Sequence, residues 1–411
     1  MEDIESYKQQ LLEAQQLIER NTIEFDEKKS TNTEPIAIIG IGMRFPGNVN
    51  NEDDLLNLLI NKVDAISDYP ISRVGNIDAI VDKNKGKNKI ITKRGGFIND
   101  IEYFDADFFN ISTLEAEKID PAQRLLLEVT QEAIENAGLT DKDLQGSDSG
   151  VFVANWASDY EHRLQNTNED IDVYATTGSG RYALSGRISY FYNLQGPSMT
   201  VDTACSSSVV ALNIAAQNLI NGDTRMAFVG ASNTITDFFI TKGYSRSGLL
   251  SEYGECRFGD TKSTGYVRSE GAAMIILKKL SDAIKDKNHI HAVILSTATN
   301  NDGQANKNFF APSAITQEVM IRNAIKKSGI NPDELIYVEA HGTGTKAGDP
   351  TEITSIWKAV SDNRTKENEI YTGSIKTNIG HTEAVAGLAG LLKVVTSLKH
   401  KKIFPSLHFE I

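Results

Sequence analysis

Segments of strand length alternate with segments of helix length along most of this 411-residue chain. Strands are predicted at 36–39, 150–154, 199–201, 226–230, 271–277, 291–297, 335–339 and 371–374, and helices at 53–59, 114–137, 206–221, 316–328, 350–360 and 383–399. The sequence Gly40-Ile41-Gly42 is predicted to turn out of the first strand, and Pro121 to break the second helix. This alternation predicts an α/β protein with largely parallel or mixed sheets.

Composition narrows the class of protein. With 40% hydrophobic and 24% charged residues, the chain has the composition of an ordinary globular protein. Its net charge of −13 argues against nucleic acid or an anionic membrane surface as the main partner. The two cysteines, Cys205 and Cys256, do not suggest a disulfide framework, so the cytoplasm is the predicted location. Neither a signal peptide nor a membrane-spanning segment is expected.

The first 25 residues have the spacing of a short coiled coil. Ile4, Leu11, Ile18 and Phe25 recur every seven residues, and most other positions are polar or charged. A helix of this length is marginal alone, so it needs a partner, and a frayed solvated helix is the alternative. We predict a coiled-coil helix over residues 1–27, a polar linker over 28–34 and a globular domain over 35–411.

Cys205 follows a short strand and a turn of small residues, and an apolar helix begins directly after it. The unpaired N–H groups at a helix N-terminus stabilise negative charge, so this position favours a reactive thiolate. The small neighbours leave room for a substrate to reach the sulfur. On the local pattern alone, a buried and inert cysteine is an equal alternative.

Two histidines lie in glycine-bounded segments. His341 ends a predicted strand, and the hydroxyls of Thr343 and Thr345 after it can hydrogen-bond a polar ligand. His381 precedes a helix, where the positive end of the helix dipole favours neutral imidazole. A neutral histidine can donate a hydrogen bond to an oxyanion or an enolate.

Other interpretations of these residues stay open at this point. A zinc site built from Cys205, His341 and His381 is possible, but the close ligand pairs of usual zinc sites are missing, and no metal is predicted. Asp349 is predicted to cap the next helix, and it is interpreted with Glu352 as structural. A weak repeat of strand, small-residue turn and apolar helix around Cys205 and His381 suggests two related halves.

Several motifs together resemble the β-ketoacyl synthase (ketosynthase) domain of modular type I polyketide synthases. They occur in that family's order and at compatible spacing: EPIAIIGIGMRFPG at 34–47, FDADFF at 104–109, DPAQRLLLE at 120–128, DTACSSS at 202–208, EAHGTGT at 339–345 and KTNIGH at 376–381. Segments 257–260 and 268–271 differ from the family's usual pattern, which we interpret as drift. The resemblance implies a thiolase-like, five-layer α-β-α-β-α fold of two related halves.

The resemblance also implies a role for each candidate catalytic residue. Cys205 would accept the growing acyl chain from an acyl carrier protein as a thioester. His341 and His381 would promote decarboxylation of a malonyl-type extender and stabilise the enolate, which then attacks the Cys205 thioester. Lys376 would order the site and support the histidines.

Partners follow from the same resemblance. Thr343 and Thr345 would hold the phosphopantetheine arm of the acyl carrier protein, and no cofactor bound by the domain itself is expected. Residues 1–27 would dock onto an upstream synthase subunit, and the domain would form a homodimer. The family continues for a few tens of residues beyond the position of Ile411, with closing strands and an oxyanion-hole N–H. We therefore expect either a fragment or completion by a second polypeptide.

Three alternatives to an elongating ketosynthase remain. A non-elongating relative would accept and pass on the acyl chain, although the presence of both His341 and His381 argues against it. A cysteine hydrolase would use Cys205 with a histidine, but it would leave the decarboxylation residues without a role. A docking or scaffold fragment would have no catalysis.

Overall fold

The computed structural model describes residues 34–410, except 76, 158, 167–170, 307–310, 362–363 and 366–368. The predicted coiled-coil helix over residues 1–27 and the predicted linker, apart from its last residue, lie outside the described residues. Residues from Pro35 onward form one compact unit. Among the helices of this described part, none combines the length and the apolar character needed to cross a membrane.

A mixed sheet is the centre of the fold. The strands are β1 (Ile36–Arg44), β2 (Ile66–Asp68), β3 (Arg94–Gly96), β4 (Gly150–Ala154), β5 (Ser198–Val201), β6 (Ala227–Asn233), β7 (Gly271–Lys279), β8 (Ala292–Ile294), β9 (Tyr337–Glu339) and β10 (Tyr371–Gly373). Six of them pair in the order β5-β4-β6-β7-β1-β8, with β4 parallel to β5 and β6 and the remaining pairs antiparallel. Strands β9 and β10 form a separate parallel pair, and β2 and β3 an antiparallel one.

The helices lie between and beside these strands. They are α1 (Glu52–Ile60), α2 (Ile71–Val74), α3 (Thr113–Ala116), α4 (Pro121–Asn136), α5 (Asp141–Leu144), α6 (Asp159–Gln165), α7 (Val173–Ser179), α8 (Tyr182–Tyr192), α9 (Ser207–Asn221), α10 (Phe239–Ser247), α11 (Leu280–Lys285), α12 (Ala314–Ser328), α13 (Gly348–Ser361), α14 (Lys376–Ile379) and α15 (Ala386–His400). Short 3-10 turns lie at Ile77–Ile80, Ala204–Ser206, Pro332–Glu334 and Glu383–Val385. The predicted break falls at Pro121, which begins α4.

The central sheet is buried on both faces. Residues Ile36 and Ile38 of β1 belong to a hydrophobic core that includes α9 and α15, whereas Ala37 and Ile39 belong to a second core that includes α4 and α8. Successive strand residues point to opposite faces, so a strand buried on both sides is apolar throughout rather than alternating. This explains the continuous apolar run at the start of the globular sequence.

The predicted turn at Gly40-Ile41-Gly42 is wrong, because β1 continues through these residues to Arg44. The glycines allow a helix to approach closely instead. A Cβ atom on Gly42 would lie 2.0 Å from the carbonyl oxygen of Val129, and one on Gly40 would lie 2.4 Å from that of Ala133. Both carbonyls belong to α4, so the missing side chains let this helix pack against the strand backbone.

Candidate active site

Cys205 lies in the 3-10 turn Ala204–Ser206, between the edge strand β5 and helix α9. Ala204 adopts the left-handed conformation with φ 55°, which costs about 1–2 kcal/mol for a residue that has a Cβ atom. A side chain helps to hold the turn, because the N–H of Thr203 donates to Ser207 Oγ at 2.8 Å. The turn places the partly exposed cysteine at the N-terminus of α9.

His341 follows strand β9, and its loop is anchored by a carboxylate of helix α13. The N–H groups of His341 and Gly342 donate to the two oxygens of Glu352, at 2.6 and 2.9 Å. Glu352 is therefore structural, as predicted, and its structural task is to fix the backbone that carries His341.

The predicted N-cap role of Asp349 is wrong, because α13 begins at Gly348 and includes Asp349 in its first turn. The Asp349 side chain is buried and accepts hydrogen bonds from loop N–H groups instead. These donors are Gly259 at 3.0 Å, Gly344 at 3.1 Å and Thr345 at 3.3 Å. Asp349 thus joins the loop after β9 to the loop after Cys256.

Thr343 and Thr345 lie next to each other in this anchored loop. Their hydroxyl oxygens are 3.2 Å apart, and Thr345 Oγ1 also accepts the N–H of Gly348 at 3.2 Å. A cavity of about 470 Å³ opens beside the loop, and its lining includes Thr345 and the exposed Lys346. The loop therefore offers hydroxyl groups and a cation next to an open cavity.

His381 is almost fully buried, and its segment is bound to the segment before β7. Its N–H donates to the carbonyl of Val267 at 2.8 Å, and its carbonyl accepts from Ser269 at 2.9 Å. The N–H of Glu383 donates to Nδ1 of His381 at 3.0 Å. Because Nδ1 is an acceptor, the neutral ring carries its proton on Nε2.

A close contact between two helices brings the cysteine turn to the histidine turn. Gly387 lies in the first turn of α15, and a Cβ atom there would be 2.2 Å from Cγ2 of Val209 in α9. The N–H of Leu388 also donates to Ser208 Oγ at 3.3 Å. The starts of α9 and α15 are thus in contact, and the 3-10 turns that precede them pack together.

The predicted catalytic side chains lie in one neighbourhood. The rings of His341 and His381 have centroids 5.2 Å apart and stand nearly perpendicular, at 84°. The buried Lys376 begins α14 and lies close enough to influence the pKa values of both histidines and of Cys205. A larger groove of about 1430 Å³ runs along α15 and β10 and contains none of these four side chains.

The surroundings of both histidines favour the neutral imidazole. Burial lowers the pKa of His381 well below its usual range, and the positive charge of Lys376 acts in the same direction. Surrounding protein atoms and Lys376 also lower the pKa of His341, although part of this side chain remains accessible to solvent. The neutral His381 expected from the sequence is therefore present, with burial as the main cause.

The cysteine differs from the expected thiolate. Burial of the sulfur raises the pKa of Cys205 to about 11, and the nearby carboxylate of Glu383 acts in the same direction. Lys376 opposes this rise only in part. The residue as a whole is partly exposed, but its resting form is the thiol, because burial of the sulfur raises the pKa more than Lys376 lowers it.

One buried ion pair was not identified from the sequence. Arg268 donates to Glu383 through Nε at 2.6 Å and Nη2 at 3.0 Å, next to Thr241 and Asp159. The interpretation of segment 268–271 as drift is therefore incomplete. The available signal was a charged residue, Arg268, three positions before the apolar strand β7. Its partner lies 115 positions away and has no local pattern that points to it.

No set of three or more His, Cys, Asp or Glu side chains within the described part of the chain is arranged to hold a metal ion. The zinc alternative built from Cys205, His341 and His381 therefore gains no support from the geometry.

Comparison with known proteins identifies the family. The sequence matches the family model "Beta-ketoacyl synthase, N-terminal domain" over residues 33–283 and the corresponding C-terminal domain over 291–410. Probable polyketide synthase 17 of Dictyostelium discoideum is 43% identical over 390 residues, and the highly reducing polyketide synthase Preu1 of Preussia isomera is 42% identical over 377 residues. These matches cover 94% and 91% of this chain but only 15% and 16% of those much longer proteins.

Comparison with solved structures indicates the same family. The ketosynthase from module 6 of the bacillaene synthase of Bacillus subtilis 168 has 36% identity and a TM-score of 0.83, covering 92% of this chain and 63% of that one. The oxazolomycin ketosynthase domain OzmH KS7 of Streptomyces albus JA3453 has 35% identity and a TM-score of 0.86, covering 92% and 67%. These matches confirm the predicted thiolase-like α/β fold. The chain belongs to the β-ketoacyl synthase family, among the acyl-transferring ketosynthase domains of polyketide synthases.

Proposed function

We propose that this chain elongates a polyketide by acyl transfer to Cys205 and decarboxylative Claisen condensation with a malonyl-type extender. The main support is the pair of neutral imidazoles, His341 and His381, beside the turn that carries Cys205. Neutral N–H donors can stabilise an enolate without donating a proton to its carbon.

In the acyl-transfer step, the sulfur of Cys205 adds to the thioester carbonyl of the acyl chain on the carrier protein. The tetrahedral intermediate then expels the phosphopantetheine sulfur. The proton lost by Cys205 ends on that leaving thiol, so the exchange of one thioester for another is balanced. Because Cys205 rests as a thiol and both ring nitrogens of His381 are occupied, we propose that His341 accepts the proton transiently during attack and passes it to the leaving sulfur.

In the condensation step, the bond between the malonyl carboxylate and the α-carbon breaks, and carbon dioxide leaves. The enolate oxygen accepts hydrogen bonds from the neutral histidines, including the Nε2–H of His381. The enolate carbon bonds to the acyl carbonyl carbon, and the bond to the sulfur of Cys205 breaks. The thiolate takes up one proton, and the acyl chain is two carbons longer. Lys376 keeps the site electrostatically ordered by favouring the neutral histidines.

The phosphopantetheine arm of an acyl carrier protein would enter beside the loop that carries the threonines. Thr345 lines the neighbouring cavity with Lys346, which adds a positive charge, and the hydroxyl of the buried Thr343 lies 3.2 Å from that of Thr345. The arm belongs to the carrier protein, so the proposal requires no cofactor bound by the chain itself. The malonyl-type extender would arrive on the same kind of arm.

The edge of the central sheet supports the proposed homodimer. Strand β5 pairs with β4 on one side only, so its other side is an unpaired edge in the described part of the chain. Met199 on this strand and Tyr190 nearby on α8 expose 37% and 90% of their surfaces. An exposed edge with apolar neighbours favours pairing with a second copy. We further propose that residues 1–27 dock onto an upstream synthase subunit, that 28–34 link them to the domain over 35–411, and that the protein works in the cytoplasm.

One experiment separates the candidate functions. The protein is incubated with an acyl thioester and malonyl-loaded carrier protein, and the masses of the Cys205 peptide and of the products are followed. Acylation of Cys205 with a longer β-ketoacyl product supports elongation. Acylation without extension would instead indicate a non-elongating ketosynthase, free acid a cysteine hydrolase, and the absence of labelling a docking or scaffold role.

A further inference from the structure

The ion pair between Arg268 and Glu383 is isolated from solvent. The two residues expose 2% and 1% of their surfaces, and the guanidinium contacts both carboxylate oxygens. The guanidinium also donates to Thr241 Oγ1 at 2.8 Å and lies 3.5 Å from Asp159 Oδ2. Two-point contact of this kind fixes the carboxylate in both position and orientation.

Glu383 also has a constrained backbone. Its φ is 53°, in the left-handed region that is unfavourable for a residue with a side chain, and the strain is of order 1–2 kcal/mol. In this conformation its N–H reaches Nδ1 of His381 at 3.0 Å. The same residue therefore has its carboxylate on Arg268 and its N–H on the histidine.

Arg268 is connected to His381 through the backbone as well. The two residues form an isolated parallel bridge, and the hydrogen bonds on either side of it involve Val267 and Ser269. The guanidinium and the imidazole thus lie on adjacent, hydrogen-bonded segments. A shift of the ion pair would be transmitted directly to the histidine segment.

We propose that Glu383, fixed by Arg268, is a positioning residue that keeps the proton of His381 on Nε2 and so prepares the ring for the condensation step. The inference rests on the proposed function for its effect on the reaction. The tautomer that it specifies is a property of the protein alone.

Stabilisation of the fold is the competing explanation for the pair. A buried ion pair often adds little net stability, because removing two charges from water costs about as much as their attraction returns. The chain contains a comparable pair in the fully buried Glu270 and the mostly buried Arg73, whose side chain is 9% exposed and whose Nη1 donates to both carboxylate oxygens at 2.7 and 2.8 Å. The Glu270 carboxylate accepts the N–H groups of Ile98 and Ile235, neither of which belongs to the His381 segment.

The test uses two substitutions at the pair and one matched control. Glu383→Gly removes the carboxylate but allows the left-handed backbone without strain, whereas Glu383→Gln keeps the size of the side chain and removes its charge. Glu270→Gln makes the same chemical change in the control pair. Each variant is compared with the unaltered protein by thermal unfolding, by the rates of Cys205 acylation and of condensation, and by 15N NMR of labelled histidines.

The proposal predicts a selective loss in the Glu383 variants. Condensation should fall about 100-fold in Glu383→Gly, as when one oxyanion donor is lost, while acylation of Cys205 falls less than about 3-fold. The NMR signals of His381 should change from one Nε2–H tautomer to a mixture. Glu383→Gln should show the same change to a smaller extent. Glu270→Gln should lower the unfolding temperature without changing the tautomer or the ratio of the two rates.

An unchanged His381 tautomer in both Glu383 variants would overturn the proposal. So would a ratio of condensation to acylation that matches that of Glu270→Gln. If the unaltered protein neither acylates nor condenses, the proposed function fails, but the NMR comparison still tests the positioning role. If Glu383→Gly does not fold, the His381 tautomer and the ratio of the two rates in Glu383→Gln test the proposal.

Discussion

The rings of His341 and His381 stand edge to face, 5.2 Å apart between centroids, and each has a separate backbone anchor. Glu352 holds the His341 segment, whereas Glu383 donates its N–H to His381. The two histidines therefore reach the site from different loops. We expect a substitution of one histidine to leave the backbone of the other in place, so its effect can be assigned to the ring that was replaced.

Replacing His381 with asparagine should separate the two chemical steps. The asparagine oxygen can accept the N–H of Glu383, but the imidazole donor is lost. We expect condensation to fall about 100–1,000-fold, the usual cost of one oxyanion donor, while Cys205 acylation largely remains. Quench-flow measurement of both products tests this. His289→Asn is the control, because His289 and His291 form another edge-to-face pair, with centroids 4.6 Å apart. If His381→Asn lost acylation and condensation equally, the assignment of His381 to the condensation step would be contradicted.

The raised pKa of Cys205 predicts a steep pH dependence of alkylation. Because only the thiolate reacts, the iodoacetamide rate should rise about tenfold per pH unit from pH 7 to near pH 10. The Lys376→Met variant should react more slowly at each pH, since the ammonium lowers the pKa of Cys205, and Glu383→Gln should react faster. Mass spectrometry of the Cys205 peptide excludes a contribution from Cys256. A rate that levels off below pH 8 would show that the sulfur rests as a thiolate.

The neutral state of His381 predicts loss of stability in acid. Its pKa is lowered in the folded protein, so below about pH 6.5 the unfolded chain binds a proton that the folded chain does not. The free energy of unfolding that the neutral His381 contributes is fully present above pH 6.5. It is lost as the pH falls, by about 1.4 kcal/mol per pH unit. Urea unfolding at pH 7.5, 6.0 and 5.0 should therefore show the wild type losing stability relative to His381→Asn. A constant difference between the two proteins would exclude the effect.

The close approach of α4 to β1 predicts a large cost for one added methyl group. In Gly42→Ala the new Cβ would lie 2.0 Å from the carbonyl of Val129, and overpacking of this kind costs about 3 kcal/mol. Gly186→Ala is the matched control in α8, where nothing lies within 4 Å of the new atom. There, alanine should stabilise the helix by about 0.5–1 kcal/mol. Denaturant unfolding that finds the two variants equally stable would contradict the packing.

Local patterns predicted much of the secondary structure, because strand length and helix length differ clearly in this sequence. Gly150–Ala154 was predicted with the observed bounds, and the break predicted at Pro121 falls where α4 begins. The error at Gly42 arose because glycine serves two purposes. A turn and a close helix contact both require a missing side chain, and only the tertiary structure distinguishes them.

The candidate site was predictable where its chemistry lies in contiguous motifs. The surroundings of Cys205, His341 and His381 each carry a local pattern. The Arg268–Glu383 pair and the pKa of Cys205 depend on which distant segments become buried together, and no short motif contains that information. The same holds for Gly387, whose packing against Val209 joins the two turns.

The high pKa of Cys205 has a consequence for the survival of the protein under oxidising conditions. Peroxide, like an alkylating agent, attacks a thiolate much faster than a thiol. A sulfur that stays protonated between turnovers therefore oxidises slowly to the sulfenic and sulfinic acids that would end its reactivity. The burial that raises the pKa of Cys205 thus lowers the reactivity expected of its sulfur toward oxidants between turnovers.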